Sequence, residues 1–167
     1  MTVGPATHIL TLPGPMLRRG FWLYVWRVET PMGELLYVGR TGDSSSPHAT
    51  APYTRMGQHL GSIANQNALR KYLEKRGVPL EVCTFHLVGH GPLYSEVVKR
   101  DGATREVLMA AHKPLRDIVG AMEKALAEDL SAAGYAVLNP VHCKWPLDPA
   151  LYAPVRSAFA ECFAGLR

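Results

Sequence analysis

Hydrophobic and polar positions in the first third of the chain follow a pattern that is typical of a β-hairpin. Residues 21–28 form a dense run of aromatic and aliphatic side chains, which are enriched in strands. Residues 30–33 have the composition of a turn, and residues 34–38 form a second strand-like run that Gly39 ends. The pattern predicts two antiparallel strands joined by a short turn.

Apolar residues recur at helical spacing further along the chain. This spacing predicts helices over residues 53–65, 67–76 and 114–133. The last of these helices carries the longest apolar stripe, formed by Leu115, Val119, Met122, Leu126 and Leu130. Residues 80–88 are rich in β-branched and aromatic side chains and predict a third strand. Residues 105–112 also favour a helix, which we expect Pro114 to end or kink.

The chain has 167 residues, which is enough for one domain with a hydrophobic core and short for two. Proline and glycine interrupt residues 1–20, so we expect an N-terminal arm there. Residues 21–140 contain the predicted strands and most of the helices and are expected to form the domain itself. Residues 141–167 contain one more amphipathic segment, and we expect this C-terminal helical extension to pack on the same domain.

Charge and cysteine content restrict the possible partners only slightly. The 18 Lys and Arg against 14 Asp and Glu leave a formal net charge of +4, which permits a polyanionic partner without requiring one. The three cysteines are widely spaced, which argues against a disulfide framework and against a zinc knuckle. No apolar run approaches the ~18 residues of a membrane span. We therefore expect a soluble, intracellular (cytoplasmic) protein that has no membrane partner.

Two tyrosines, Tyr24 and Tyr37, fall on the two strands of the predicted hairpin. A tight hairpin would bring both hydroxyls to the same face of one sheet. The letters LY, followed after twelve residues by YVG, resemble the two-part motif of the GIY-YIG nuclease family, whose halves lie on adjacent antiparallel strands. Trp22 stands where the first glycine of the family would fall. The resemblance implies that Tyr24 and Tyr37 belong to an active site.

Arg55 and His59 lie four residues apart in the first predicted helix, so their side chains share one face. The GIY-YIG family carries a catalytic arginine on this helix, often with a histidine one turn later. The resemblance implies those roles for Arg55 and His59. The chemistry suits the residue type, because a planar and permanently charged guanidinium can bind two phosphate oxygens as negative charge grows in the transition state.

The third predicted helix carries two candidate metal ligands, and its helical phase separates them. At ~100° per residue, Glu123 borders the apolar stripe, whereas Glu128 points to solvent. In the GIY-YIG family a helical glutamate binds the divalent cation, and an asparagine follows about a dozen residues later. Glu123 resembles this glutamate and Asn139 this asparagine, although Glu128 is nearer to the usual spacing. We prefer Glu123 because it can face the hairpin.

Residues around the end of the hairpin are expected to support the site or to contact the substrate. Gly39 completes the second half of the motif. Arg40 and Thr41 follow it and offer a cation and a hydroxyl that can meet a phosphate backbone, although Arg40 can equally be a solvated surface arginine. Asn139 precedes Pro140, which disfavours a helix there, and its amide can tie down a loop near the site.

The predicted elements and the resemblance together indicate an α/β (α+β) domain of the GIY-YIG kind, with a small, mainly antiparallel three-stranded sheet flanked by helices. The resemblance implies an endonuclease that hydrolyses phosphodiester bonds in nucleic acid, with DNA as the favoured substrate. One Mg²⁺ or Mn²⁺ ion on Glu123 would polarise the phosphate. Tyr24 would act as general base, with Tyr37 or His59 as its hydrogen-bond partner or substitute. The alternative is a catalytically inactive module that uses the same scaffold for nucleic-acid binding or another interaction.

Overall fold

The computed structural model describes residues 4–97 and 101–167, so the first three residues of the predicted arm lie outside the described part. The strands are β1 (Phe21–Thr30), β2 (Gly33–Arg40) and β3 (Thr84–Tyr94). The helices are α1 (Pro52–Leu60), α2 (Ala68–Lys75), α3 (Arg105–Ala132) and α4 (Pro149–Ala160). The strands form one antiparallel sheet in the order β2-β1-β3, and the helices flank it. The predicted fold class is therefore confirmed.

β1 and β2 form the predicted hairpin. β1 is buried on both faces because it is the central strand, which explains its continuous apolar run. Thr30 pairs with Gly33 at the closed end, and the Thr30 hydroxyl donates to the Gly33 carbonyl at 2.8 Å. Gly33 has a φ of 126°, a conformation that only glycine adopts without strain. The turn residues therefore determine the register of the hairpin.

The register places Tyr24 and Tyr37 on the same face of the sheet, as predicted. Tyr24 pairs with Gly39, and Trp26 pairs with Tyr37. Directly opposite residues in an antiparallel pair share a face, and so do residues two apart on one strand. The alternate residues of β1, such as Leu23 and Val25, lie on the other face of the sheet.

The third strand begins and ends later than the predicted residues 80–88. Leu80–Val82 forms a 3-10 turn, and β3 runs on to Tyr94. The reason is pairing with β1, which extends from Glu29 opposite Thr84 to Phe21 opposite Tyr94. Ladder hydrogen bonds along the whole of β1 outweigh the weak local preferences in this segment.

The sheet separates two hydrophobic clusters. α3 and α4 cover the face that carries Leu23 and Val25, and their apolar residues form the larger cluster. α1 and α2 cover the face that carries Tyr24 and Trp26, with Leu69 and Leu73 of α2 fully buried in the smaller cluster. The phenols of the hairpin therefore lie under a helical layer and not in open solvent.

The first helix is shorter than the predicted 53–65. α1 ends at Leu60 because Gly61 adopts extended backbone, with a ψ of −178°. Ile63, which the apolar spacing placed inside, is therefore exposed. Arg55 and His59 remain on α1, four residues apart, so the relation between them is unaffected.

The longest helix, α3, continues through Pro114, where the sequence predicted that the helix would end or kink, so the predicted end is wrong. Thr104 caps its start by accepting from the Val107 amide at 3.3 Å. Pro114 lies inside the helix on an exposed stretch, and Ala110, whose carbonyl loses its partner there, is also exposed. Water can therefore solvate the freed carbonyl. Buried residues on both sides of the proline hold the helix together.

Part of the N-terminal arm and helix α4 pack on the same body as the sheet. Asp148 caps α4, whose Tyr152, Val155 and Phe159 enter the larger cluster. In the N-terminal arm, Met16 is buried within a 3-10 turn. No helix among the described residues is long and apolar enough to cross a bilayer.

Candidate active site

Tyr24 lies at the centre of the candidate site, and its position depends on Gly39. The two residues face each other across the hairpin. A Cβ atom on residue 39 would stand 2.5 Å from two ring carbons of Tyr24 and from its hydroxyl oxygen. The ring of Tyr24 therefore lies directly over the glycine, which leaves room for it only because it has no side chain. The motif glycine has a steric role next to the phenol.

We expect Gly39→Ala to destabilise the fold by about 1–3 kcal/mol, which is typical of inserting a methyl group into a packed site. Gly57→Ala is the matched control, because nothing lies within 4 Å of a Cβ there and alanine favours a helix by about 1 kcal/mol over glycine. Urea unfolding of both variants tests this. Equal stability of the two variants would contradict the packing of Tyr24 on Gly39.

His59 approaches Tyr24 from α1. Its Nε2 lies 3.4 Å from the Tyr24 hydroxyl, and its ring meets the edge of Tyr37 with centroids 5.1 Å apart. Burial and, to a smaller extent, the Arg55 charge lower the pKa of His59 to about 4. The imidazole is therefore neutral at neutral pH and can accept a hydrogen bond from the phenol. Of the two predicted partners for Tyr24, His59 makes the hydrogen bond.

Both phenols are held in the protonated form. Burial raises the pKa of Tyr24 well above its usual value of 10.0, and the nearby Tyr37 adds to this rise. Burial also raises the pKa of Tyr37, and the Glu123 charge raises it further. Arg55 acts in the opposite direction on both phenols. Without an added positive charge, neither tyrosine can serve as a free phenolate base near neutral pH.

Arg55 faces an acid that sequence reasoning missed. Its Nη2 pairs with Asp43 in the loop after β2, and its Nη1 donates to the Gln58 amide oxygen at 3.4 Å. The charge of Asp43 also acts on the pKa of Tyr24, His59 and Glu123. The only sequence feature that points to Asp43 is its position four residues after Gly39.

Glu123 faces the hairpin end from α3, as its helical phase predicted. Its Oε2 lies 2.8 Å from Arg40 Nε, and its side chain is only 15% exposed, against 67% for Glu128. Burial raises the pKa of Glu123 to about 7, although the Arg40 charge opposes this rise. Arg40 also donates to the Arg116 carbonyl, and its guanidinium lies about 3.0 Å from where a Cβ on Gly120 would stand. Arg40 is therefore a buried ion-pair partner and not a solvated arginine.

Two further residues support the backbone around the site. The hydroxyl of Thr41 accepts from the Trp22 amide at 2.9 Å and donates to the Gly20 carbonyl at 2.6 Å. Thr41 is completely buried, so the expected contact of its hydroxyl with a phosphate is wrong and a supporting role remains. Asn139 binds both polar groups of Val38, accepting from its amide at 3.0 Å and donating to its carbonyl at 2.7 Å. It ties the segment after α3 to the open edge of β2.

The donors at the site suit a hard divalent cation. Glu123 and Asp43 supply carboxylate oxygens, the ligands that Mg²⁺ and Mn²⁺ prefer. Across residues 4–97 and 101–167, no group of three or more His, Cys, Asp or Glu side chains has the arrangement of a complete metal cage. Mg²⁺ commonly binds through one or two carboxylates and keeps several waters. A cation at this site would therefore have Glu123 as a protein ligand and water at most of its other positions.

The structure thus brings together residues from β1, β2, α1 and α3. His59 contacts Tyr24, and Tyr37 packs on His59, whereas Arg55 and Glu123 lie near enough for their charges to act on the pKa of Tyr24. Gly39 and Arg40 contact members of this group directly, whereas Thr41 and Asn139 hold the backbone. Comparison of the chain with protein-family models, with curated proteins and with solved structures gave no match.

Proposed function

We propose that the protein is a divalent-metal-dependent endonuclease of the GIY-YIG kind that hydrolyses phosphodiester bonds in nucleic acid, with DNA as the favoured substrate. The observation that carries this proposal is the contact between a phenol and an imidazole, Tyr24 and His59, with the charges of Arg55 and Glu123 near enough to act on the pKa of Tyr24. This set contains a proton acceptor, a cation for phosphate oxygens and a ligand for a hard metal. Those are the groups that hydrolysis of a phosphodiester requires.

The phenol–imidazole pair supplies a path for the proton of the attacking water. Tyr24 accepts this proton on its hydroxyl oxygen as it donates its own hydrogen to Nε2 of His59, 3.4 Å away. The water oxygen then forms its bond to phosphorus while the bond to the leaving oxygen breaks. Such a relay avoids a free phenolate, which burial of Tyr24 disfavours, but it forms an imidazolium, which burial of His59 also disfavours. A negative phosphate bound beside it would have to stabilise that positive charge. Tyr37 packs against the edge of the imidazole and holds its orientation.

The two arginines supply positive charge where the phosphate binds. Arg55 can exchange Asp43 for the phosphate oxygens, because its ion pair with Asp43 is partly exposed and exposed pairs are weak. The planar guanidinium then stabilises the extra negative charge of the transition state. A divalent cation held by Glu123 would supply Lewis acidity toward the phosphate and the leaving oxygen. Arg40 would then lose Glu123 as its partner and keep its hydrogen bond to the Arg116 carbonyl.

The second candidate function is a catalytically inactive module that binds nucleic acid or another partner. The ion pair between Glu123 and Arg40 favours it, because the proposed ligand already has a charge partner. The presence of Trp22 at the position of the first motif glycine favours it too. Such a module would bind nucleic acid with no dependence on a metal and would leave the phosphodiester bonds intact.

A nicking assay tests the two candidates. Purified protein is expected to nick supercoiled plasmid in Mg²⁺ or Mn²⁺ and to lose this activity in EDTA. Tyr24→Phe, purified in the same way, keeps the ring over Gly39 but lacks the hydroxyl, so nicking should fall by about 10²–10⁴-fold, the usual contribution of general acid–base catalysis. Nicking that survives in Tyr24→Phe would come from a contaminant. Binding of plasmid without any nicking would establish the inactive module.

A further inference from the structure

A cavity of about 270 Å³ adjoins the Glu123–Arg40 pair. Its walls combine two arginines with two carboxylates and with the segment 142–145, which follows Asn139: Arg40, Arg116, Asp43, Asp117 and Gly120. The cavity therefore begins at the guanidinium that touches the proposed metal ligand. Any group bound in it would stand next to the scissile phosphate.

The most unusual part of the cavity wall is Trp145. It is 45% exposed, whereas Trp22 and Trp26 are each 2% exposed and form part of the core. The Lys144 ammonium stands 5.0 Å from the centre of the Trp145 ring. An exposed cation–π contact is weaker than the stacking of a nucleobase on an aromatic ring. A base can therefore displace Lys144, which is then free to bind the neighbouring phosphate.

A groove of mixed charge leads to this cavity along α3. Arg116 lines both the cavity and a second pocket of about 460 Å³ that contains Arg105, Lys113 and Glu106. At ~100° per residue, the basic residues of α3 lie within about 100° of one another, on a face that also carries Glu106 and Glu123: Arg105, Lys113, Arg116 and Lys124. They span about 28 Å of helix at 1.5 Å per residue.

We propose that Trp145, with Lys144 and Arg116, forms a nucleotide-binding pocket in which an unpaired base of the substrate stacks on the indole beside the cleavage site. This inference rests on the proposed function and deepens it. It assigns the substrate class as nucleic acid with an unpaired nucleotide at the scissile phosphate, because a base inside a duplex has both faces covered. The groove along α3 binds the phosphates of the same strand.

Trp145 fluorescence gives a direct test, since the other two tryptophans are buried. In EDTA, an eight-nucleotide oligothymidylate is expected to quench the tryptophan emission of the intact protein. Trp145→Ala should abolish this quenching and raise the Kd for the labelled oligonucleotide about tenfold in an anisotropy assay. Trp145→Phe should recover most of the affinity, because phenylalanine also stacks. Met32→Ala, at an exposed apolar position on the hairpin turn, is the control and should leave the Kd unchanged.

The outcomes separate this inference from the proposed function. If the protein nicks plasmid but Trp145→Ala binds the oligonucleotide as tightly as Met32→Ala does, the pocket is wrong and the nuclease stands. Binding of a blunt eight-base-pair duplex as tight as that of the single strand would also overturn the pocket. If the protein neither binds the oligonucleotide nor nicks plasmid, both proposals fail. Circular dichroism of each variant checks that the fold is intact.

Discussion

Glu123→Gln is expected to abolish cleavage and to weaken Mn²⁺ binding by at least about 100-fold, whereas Glu128→Gln should change neither. Removal of outer-shell partners alone costs about 10- to 100-fold in metal affinity, and an amide lacks the charge that a hard cation favours. Glu128 lies about 140° away on α3 and pairs with Lys124 at the exposed surface. Calorimetric titration of Mn²⁺ into both variants, with plasmid nicking beside it, measures the two effects.

The fold should tolerate Glu123→Gln. Burial raises the pKa of Glu123 to about 7, which means that the folded protein favours the neutral form over the charged one more than the unfolded chain does. A neutral amide of the same shape therefore does not lose stability on that account. Unchanged thermal unfolding with lost metal binding would identify a ligand. The reverse pattern for the two glutamates would place the metal at Glu128.

Arg55→Ala is expected to lower kcat by about 10²–10³-fold, the usual cost of removing one group that stabilises transition-state charge. Lys71→Ala should lower kcat/KM less than about fivefold, because an exposed lysine on α2 makes at most a surface contact with the phosphate backbone. The two changes each remove one positive charge, so the comparison cancels the general effect of net charge. Steady-state cleavage of a labelled oligonucleotide measures both.

We expect Arg55→Ala and Lys71→Ala to have nearly the same free energy of unfolding. The Arg55–Asp43 pair is partly exposed, and such pairs contribute about 0–1 kcal/mol. Once Arg55 is removed, water can solvate the Asp43 carboxylate. Equal and small losses of kcat in both variants would place Arg55 on an ordinary binding surface. A loss confined to KM would give it a role in substrate binding without transition-state stabilisation.

Asp43 connects these two predictions, because its charge acts on both Arg55 and Glu123. Two ion pairs, Arg55–Asp43 and Arg40–Glu123, neutralise the site in the free protein. A metal ion and a phosphate would exchange these partners, with the acids facing the cation and the arginines facing the anion. The free site therefore carries little net charge, although it contains two acids and two arginines.

The hairpin and the direction of its side chains were predictable from the sequence. Strand periodicity, a turn with glycine and the pairing rules of antiparallel strands are local properties, so they placed Tyr24 and Tyr37 on one face without knowledge of the rest. Helical phase separated Glu123 from Glu128 for the same reason, since ~100° per residue needs no tertiary contact. Prediction and structure therefore agree for Tyr24, Tyr37 and Glu123, because the direction of each side chain follows from its own strand or helix.

Tertiary structure alone decided the partners and the protonation states. Glu123 pairs with Arg40 and Arg55 with Asp43 because the helices pack on particular faces of the sheet, which no local pattern specifies. Burial changed Thr41 from a candidate phosphate contact into a backbone support. Burial also raised the pKa of Tyr24. The packing of α1 on the sheet brought His59 Nε2 to 3.4 Å from the Tyr24 hydroxyl. Desolvation and charge pairing depend on neighbours distant in sequence, so they appear only once the chain has folded.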